Sequence, residues 1–321
     1  DRMEPYTTVE GGFKGLNNAL FVPSKMMLHQ EDSSLLLMNP ADPTSILKMD
    51  LEVGKVVEEW GVKGDYTSVT NILPSAKYAQ MTNEATFIGL NDNSLFRLDP
   101  RLSGKDKQVE AETKSYVVKN KFSCGATTGK GELAVGSAKG DIRLFNKLDK
   151  RAKTLLPGFG DAIIGIDVTE TGKGIVATCK SYLLLINTEI EGTDSLGFAK
   201  SLQKKPVPVR LTLKPEHVAY MGQPINFTPA RFSTGQSEER SIITSTGPFV
   251  VSWNFRRVKQ GHVFDYQLKR YSETIVADNF RFGQDRAMIV ALPQHVTMMT
   301  KKSLSQPSPK LFRSSDVVEK Y

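Results

Sequence analysis

Read for alternation of apolar and polar positions, the chain is a succession of short strands. Five twelve-residue stretches superimpose without gaps at a closing Asp, Asn or Thr: Ile88-Gly-Leu-Asn-Asp-Asn-Ser-Leu-Phe-Arg-Leu-Asp99, then residues 135–146, 176–187, 243–254 and, less well, 289–300. In each, an apolar strand enters a turn rich in Gly, Asn, Asp or Ser, and a second strand rich in Leu, Ile, Phe or Val leaves it. That pattern predicts a buried antiparallel hairpin. A looser copy spans residues 35–38 and 45–50, with a longer turn through Asn39-Pro40 and Asp42-Pro43. The closing positions 50, 99, 146, 187, 254 and 300 are 49, 47, 41, 67 and 46 residues apart. Four of these five intervals match one blade of a β-propeller.

A second turn recurs upstream of two hairpins, as Thr128-Gly129-Lys130-Gly131 and Thr171-Gly172-Lys173-Gly174, each after an apolar segment. Three strands per unit are therefore visible. Outer fourth strands are predicted at residues 55–60, 108–116, 150–156 and 196–201, where polarity rises as an exposed edge requires. No window sustains amphipathic helical spacing with caps, which argues against α/β enzyme folds. A single four-stranded sheet cannot bury both its faces, so the units must stack radially and the ring must be shut. Either six blades close directly, or a seventh is completed by residues 1–24, by the tail or by sequence upstream of Asp1. The expectation is an all-β propeller with six recognisable blades and seven in total. Residues 1–24 read as a lead-in or closing segment, 25–300 as the propeller and 301–321 as a basic tail containing Ser and Pro. The long 67-residue interval holds Lys204-Lys205-Pro206-Val207-Pro208 and residues 222–229, which read as loop insertion.

Composition narrows the class of function. The 321 residues are 39% apolar with 25 glycines, enough for a core. Cys124 and Cys179 are too few for a disulfide framework and suit a reducing compartment. Apolar runs such as Tyr182-Leu183-Leu184-Leu185-Ile186 fall far short of the roughly 18 residues of a membrane span. The chain opens at Asp1 without a charged-then-apolar leader, which reads as a processed or truncated product with cytoplasm as its default location. The net charge of +7 is uneven: residues 201–321 hold 18 Lys+Arg against 9 Asp+Glu, and residues 1–200 hold 24 against 26. Such clusters are most often solvated faces, but they also suit an acidic protein, a phosphoinositide surface or nucleic acid. The candidate partner-binding residues are Lys204, Lys205, Arg256, Arg257, Lys259, Lys269 and Arg270, with Lys301, Lys302, Lys310 and Arg313 in the tail.

Chemistry finds little support. Gly129-Lys130-Gly131-Glu132-Leu133-Ala134 fits a dinucleotide-binding string, yet a strand follows where a helix should present its amides to the pyrophosphate. The overlapping Gly125 to Gly131 run is one residue short of a Walker A loop and has Gly where a hydroxyl should hold magnesium. The same Gly-Lys-Gly recurs 43 residues later, so both are hairpin turns. His29, His217, His262 and His295 lie in different units without ligand spacing, so no metal and no cofactor is expected. No activated nucleophile is signalled. Trp60 and Trp253 read as core. Ser308-Pro309-Lys310 is a candidate proline-directed phosphorylation site, where added charge would weaken the hold of a basic tail. Phe255 and Tyr271 adjoin basic clusters, but without a binding motif they do not make nucleic acid the expected partner.

Six segments carry a resemblance: Met26-Met27-Leu28-His29-Gln30-Glu31-Asp32-Ser33-Ser34-Leu35, Met49 to Trp60, Gly140-Asp-Ile-Arg-Leu-Phe-Asn146, Pro215-Glu-His-Val-Ala219, Thr244 to Asn254 and Val276-Ala-Asp-Asn-Phe280. Together they resemble the C-terminal WD-repeat-like domain of the vacuolar import and degradation protein number twenty-seven family of fungi, plants and protists, over roughly residues 20–300. The resemblance implies a cytoplasmic, non-enzymatic propeller, preceded in full-length members by further domains including a pleckstrin-homology-like one. In fungi it implies a part in delivering surplus gluconeogenic enzymes to the vacuole. It supplies no catalytic residues. The expected function is a protein-binding scaffold, a cytoplasmic adaptor in vacuolar import and degradation within a protein complex. The alternative is a structural subunit of a large assembly of cytoskeletal or axonemal type, held by its tail and basic loops, whose acidic surfaces would suit the basic half.

Overall fold

The computed structural model describes residues 12–31, 33–62, 68–234, 238–280 and 287–313. Six antiparallel meanders stand in a ring, each with its strands in chain order. Blades 1 to 5 span residues 25–61, 71–115, 122–156, 165–211 and 231–270 with four strands each. Blade 6 has three described strands, Ala277–Phe280, Ala287–Ala291 and Val296–Thr300. The recurring hairpins are the second and third strands of the blades, as in Gly174–Thr178 with Leu183–Asn187 and Ser241–Thr246 with Phe249–Asn254. The first strands of successive blades touch one another and surround the axis. They crowd so closely that a Cβ on Gly125 would sit 2.7 Å from Leu73 Cδ1, and one on Gly165 2.5 Å from Pro229 Cβ.

A shared apolar layer seals each of five junctions, as a stack of one-faced sheets requires. Trp60, Phe87 and Phe96 close blades 1 and 2. Phe122, Leu133 and Phe145 close blades 2 and 3, and Phe198, Ile166 and Leu184 close blades 3 and 4. Phe232, Phe249 and Trp253 belong to the layer between blades 4 and 5, and Met288, Val290 and Phe280 to that between blades 5 and 6. The remaining face of blade 1 presents Leu37, Leu47 and Met49 to Phe13 and Phe21 of a two-stranded ribbon, Phe13–Lys14 with Leu20–Phe21. The ring therefore has six blades. Where a seventh was expected, the described part of the lead-in segment forms this ribbon, too short to bury two faces, and caps blade 1.

One predicted strand is misplaced. The outer strand of blade 4 is Val209–Leu211, after the Lys204–Pro208 stretch, and not residues 196–201. Those residues fold back on Leu196, whose carbonyl accepts from the amides of Ala199 and Lys200, and Phe198 and Leu202 insert between blades 3 and 4. Burying those two side chains outweighs the edge position their polar neighbours suggested. Three short helices were not foreseen: α1 (Pro215–Met221), α2 (Phe255–Lys259) and α3 (Pro309–Arg313).

The tail packs on blade 5. Ser305 exchanges both backbone hydrogen bonds with Leu268 of the outer strand at 2.9 Å, Leu304 is buried with blade 6 and Phe312 stacks on Tyr220 of α1.

Candidate functional site

The ring has two distinct faces. The turns between first and second strands are hydrogen-bonded from blade to blade: Glu31 to Gln80, Lys77 to Thr128, Gly129 to Glu170, and the Glu170 amide to the Glu239 carboxylate. In a meander the turn between third and fourth strands lies at the same end, so this face also carries α2 and residues 188–208. Connections from one blade to the next leave from the opposite, crossover face.

The turn face holds a groove of about 940 Å³ between blade 5 and the start of the tail. Its walls are Glu238, Glu239 and Arg240 before the second strand of blade 5, Arg256 and Lys259 on α2, Asp265, and Lys301 with Leu304 from the start of the tail. The Glu238, Glu239 and Lys259 side chains also border a second groove of about 570 Å³ between blades 4 and 5, which adds Lys173, Leu185, Val207 and Phe255. Asn254 fixes the helical wall by capping α2, its Oδ1 accepting from the Arg257 amide, while Phe255 and Val258 are buried beneath. Lys259 lies 4.8 Å over the Phe255 ring.

The structure scatters some of the sequence-predicted residues and gathers others. Arg256, Lys259 and Lys301 share the groove. Arg257 is turned to Asp265 in an ion pair. Lys204 and Lys205 are exposed on blade 4, Lys205 lining a separate 240 Å³ hollow with Phe159 and Val207. Lys269 lies 4.9 Å over Tyr271, and burial pulls its pKa down. Arg270 donates to the Phe312 carbonyl at 2.8 Å and holds the tail. Lys302 and Lys310 are exposed, and the side chain of Arg313 lies outside the described residues. Arg240, Glu238 and Glu239 are not among the sequence-predicted residues, because two acidic residues beside one basic residue do not stand out as a basic cluster. The groove is accordingly less basic than the C-terminal composition suggests: Glu189 holds Lys173 at 2.9 Å and raises its pKa, and Asp265 offsets Arg257.

The residues considered for chemistry are structural. Gly129 to Gly131 form the first turn of blade 3, followed by the strand Leu133–Ser137. Trp60 and Trp253 are buried, their indole N–H groups donating to Glu58 and to the Val263 carbonyl. Burial raises the thiol pKa of both cysteines, Cys124 to about 11. Among the described residues no three His, Cys, Asp or Glu side chains are grouped to hold a metal, and no helix is long and apolar enough to cross a membrane.

A ring of WD-like blades carrying these signature segments has a counterpart among known families: the VID27 C-terminal WD40-like domain matches residues 2–317. The chain belongs to the VID27 family. Vacuolar import and degradation protein 27 of Schizosaccharomyces pombe is 49% identical to it over 296 residues, which cover 89% of this chain and 37% of the relative. The protein of that name from Saccharomyces cerevisiae is 41% identical over 299 residues, 89% of this chain and 38% of the relative. The chain thus spans less than two fifths of the length of these relatives. The VID27 relationship fixes the WD40-like fold class and leaves the grooves as features to be read from their own chemistry.

Proposed function

We propose that this VID27-family propeller is a non-enzymatic docking platform, a cytoplasmic adaptor in vacuolar import and degradation, and that it engages a protein partner through the double groove of the turn face. The observation that carries the reading is the convergence of Arg240, Arg256 and Lys259 with Glu238 and Glu239 in a concavity of about 940 Å³ on a rigid ring. Charges of both signs in a groove select a partner segment of complementary charge and penalise mismatched ones. The relatives' name supplies the pathway. The packing of residues 304–312 on the chain's own blade 5 favours this reading over a structural subunit whose tail threads between neighbours.

The test is cross-linking mass spectrometry on the full-length endogenous protein, compared with an Arg256→Glu/Lys259→Glu variant of unchanged melting temperature. The expected result is reproducible links from Lys301 to one partner, lost in the variant. An unchanged partner set in the variant would overturn the groove, and links to an abundant lattice protein would replace the adaptor with a structural subunit.

A further inference from the structure

The outer rim of the ring carries a concavity of a different kind, a hollow of about 240 Å³ where blade 3 meets blade 4. Two segments build it. One is Pro157-Gly158-Phe159, which leaves the outer strand of blade 3 (Thr154–Leu156), and the other is the Lys205–Pro208 run ahead of the outer strand of blade 4. Thr154 fastens blade 3 to the chain that leads into this run: its Oγ1 donates to the Gly197 carbonyl at 2.7 Å and accepts from the Leu202 amide at 3.2 Å. Leu156 and Ile186 line the hollow from the buried layer between the two blades. The apolar walls stand in solvent, Phe159 being 62% exposed and Val207 88%. Local geometry keeps them there. A Cβ on Gly158 would collide with the Gly140 carbonyl, and Gly160 has φ +92°, so a close approach on one side and a left-handed residue on the other fix the turn that presents Phe159. Val207 lies between Pro206 and Pro208, which fix φ and hold Lys205 and Val207 extended, so the run cannot coil over its own apolar side chain.

The charge on the two segments is of one sign. Residues 150–160 hold Lys150, Arg151 and Lys153, and residues 195–215 hold five Lys+Arg, with no Asp or Glu in either stretch. Among the described residues only Lys150 of these cations is in an ion pair, with Asp149 at 2.7 Å. Lys205 is the one charged side chain that lines the hollow, and Lys204 beside it is exposed. The turn-face groove, by contrast, mixes Glu238, Glu239 and Asp265 with its cations. Apolar side chains exposed singly carry no meaning, but here two from different blades flank one cavity. Its volume is below the roughly 300–1,000 Å³ of small-molecule sites and suits one bulky side chain. An apolar hollow beside unneutralised lysines is complementary to an apolar residue among acidic ones.

We propose that this rim hollow is a second docking site, which seats one bulky apolar side chain of an acidic peptide segment of a partner while Lys204 and Lys205 face the carboxylates of that segment. The hollow takes the anchor out of water against Phe159, Val207 and the proline rings, and the lysines speed encounter and reject basic segments. A peptide is favoured over single-stranded nucleic acid, which needs a series of aromatic platforms, because Phe159 is the one aromatic ring lining the hollow among the described residues. It is favoured over a lipid surface because the apolar groups surround a cavity and do not project as one face. The hollow shares Ile186 and Val207 with the second turn-face groove but uses none of its charges, so it stands or falls apart from that groove.

Fluorescence anisotropy on the whole chain tests it, with three short labelled peptides: a central phenylalanine flanked by glutamates, the same peptide with a central alanine, and the same with glutamines in place of the glutamates. Saturable binding of the first at one site per chain is expected, with each of the others roughly tenfold weaker or more. Phe159→Ser, Val207→Ser and Lys204→Glu/Lys205→Glu should each weaken it roughly tenfold at unchanged melting temperature, all four side chains being exposed, and Arg256→Glu/Lys259→Glu should leave it unchanged. Loss in the Arg256→Glu/Lys259→Glu variant with retention in Phe159→Ser would assign the peptide to the turn-face groove and overturn the rim site. Equal binding of the phenylalanine and alanine peptides would overturn it by leaving charge alone at work, and so would the absence of saturable binding. Vesicles of phosphatidylcholine with phosphatidylserine, and an oligothymidine, complete the set. Phe159-dependent binding of either, with the peptides failing, would put a membrane or a nucleic acid in place of the protein partner and overturn the proposal as well.

Discussion

Lys77 leaves the first turn of blade 2 and reaches past blade 3 to Asp167 of blade 4, Nζ to Oδ1 2.9 Å, with both side chains largely buried. Asp167 also accepts the Val168 amide at 2.9 Å and the Phe232 amide of blade 5 at 2.8 Å. One carboxylate thus ties three blades. Lys77→Met leaves that carboxylate buried without its cation, and the expected loss is about 3 kcal/mol in urea unfolding, with part of it recovered in Lys77→Met/Asp167→Asn. His29 makes a pH-dependent contribution. Its Nε2 lies 2.8 Å from the Ala85 carbonyl, its ring stands edge-on to Phe87, and Nδ1 has no partner, so burial holds the pKa below the usual value. The unfolded chain takes a proton as pH falls through about 6.5, and the folded ring takes it only at lower pH. Stability is therefore full above that pH and falls below it. Between pH 7.5 and 5.5 the wild type should lose more stability in urea unfolding than His29→Leu. Asp278, whose carboxyl is raised, acts in the opposite sense, and the subtraction between variants cancels it.

At the scale of elements, the tail behaves as an added outer layer of blade 5. Phe312 sits 5.7 Å from Tyr220 and 5.5 Å from His217, and His217 Nδ1 in turn meets Tyr266 Oη at 2.6 Å. Phe312→Ala should cost about 3 kcal/mol and speed hydrogen exchange at the Ser305 and Leu268 amides, which pair across the same edge. Unchanged exchange there would mean that Ser305 holds the tail without Phe312. The hairpins that build every blade were legible because burial on both sheet faces leaves a continuous apolar signature between turn residues. The Val209–Leu211 strand and the tail were not. The strand begins Val209-Arg210, both exposed, and only Leu211 is buried, so it lacks a pattern. The tail docks by three apolar residues, Leu304, Leu311 and Phe312, among polar ones, and nothing local says which blade receives them. The groove was half legible for the same reason: Arg256 and Lys259 stand in a visible cluster, whereas Glu238 to Arg240 join them only through the fold.

For the whole ring, one junction differs from the rest. Five are filled by layers that draw on both adjoining blades, but the cluster on the outer face of blade 1 is completed by Phe13 and Phe21, and no described apolar cluster joins blade 6 to blade 1 directly. A closed ring opens first where the least apolar surface is shared, because each blade is stabilised by its two neighbours. Phe13→Ala/Phe21→Ala should therefore cost about 2 kcal/mol, both side chains being only partly buried. The loss should fall on one side of the ring. Hydrogen exchange should accelerate in Ser34–Asn39 and Ala287–Ala291 while Gly174–Thr178 keeps its protection. The two tryptophans report on different sectors, Trp60 between blades 1 and 2 and Trp253 between blades 4 and 5. In the wild type their fluorescence transitions should coincide in urea, as for a single cooperative unit. In the double variant the transition of Trp60, followed in Trp253→Phe, should move to lower urea ahead of that of Trp253, followed in Trp60→Phe. If both move together by the same amount, the ribbon stabilises the ring as a whole and the junction between blades 6 and 1 is not where it opens.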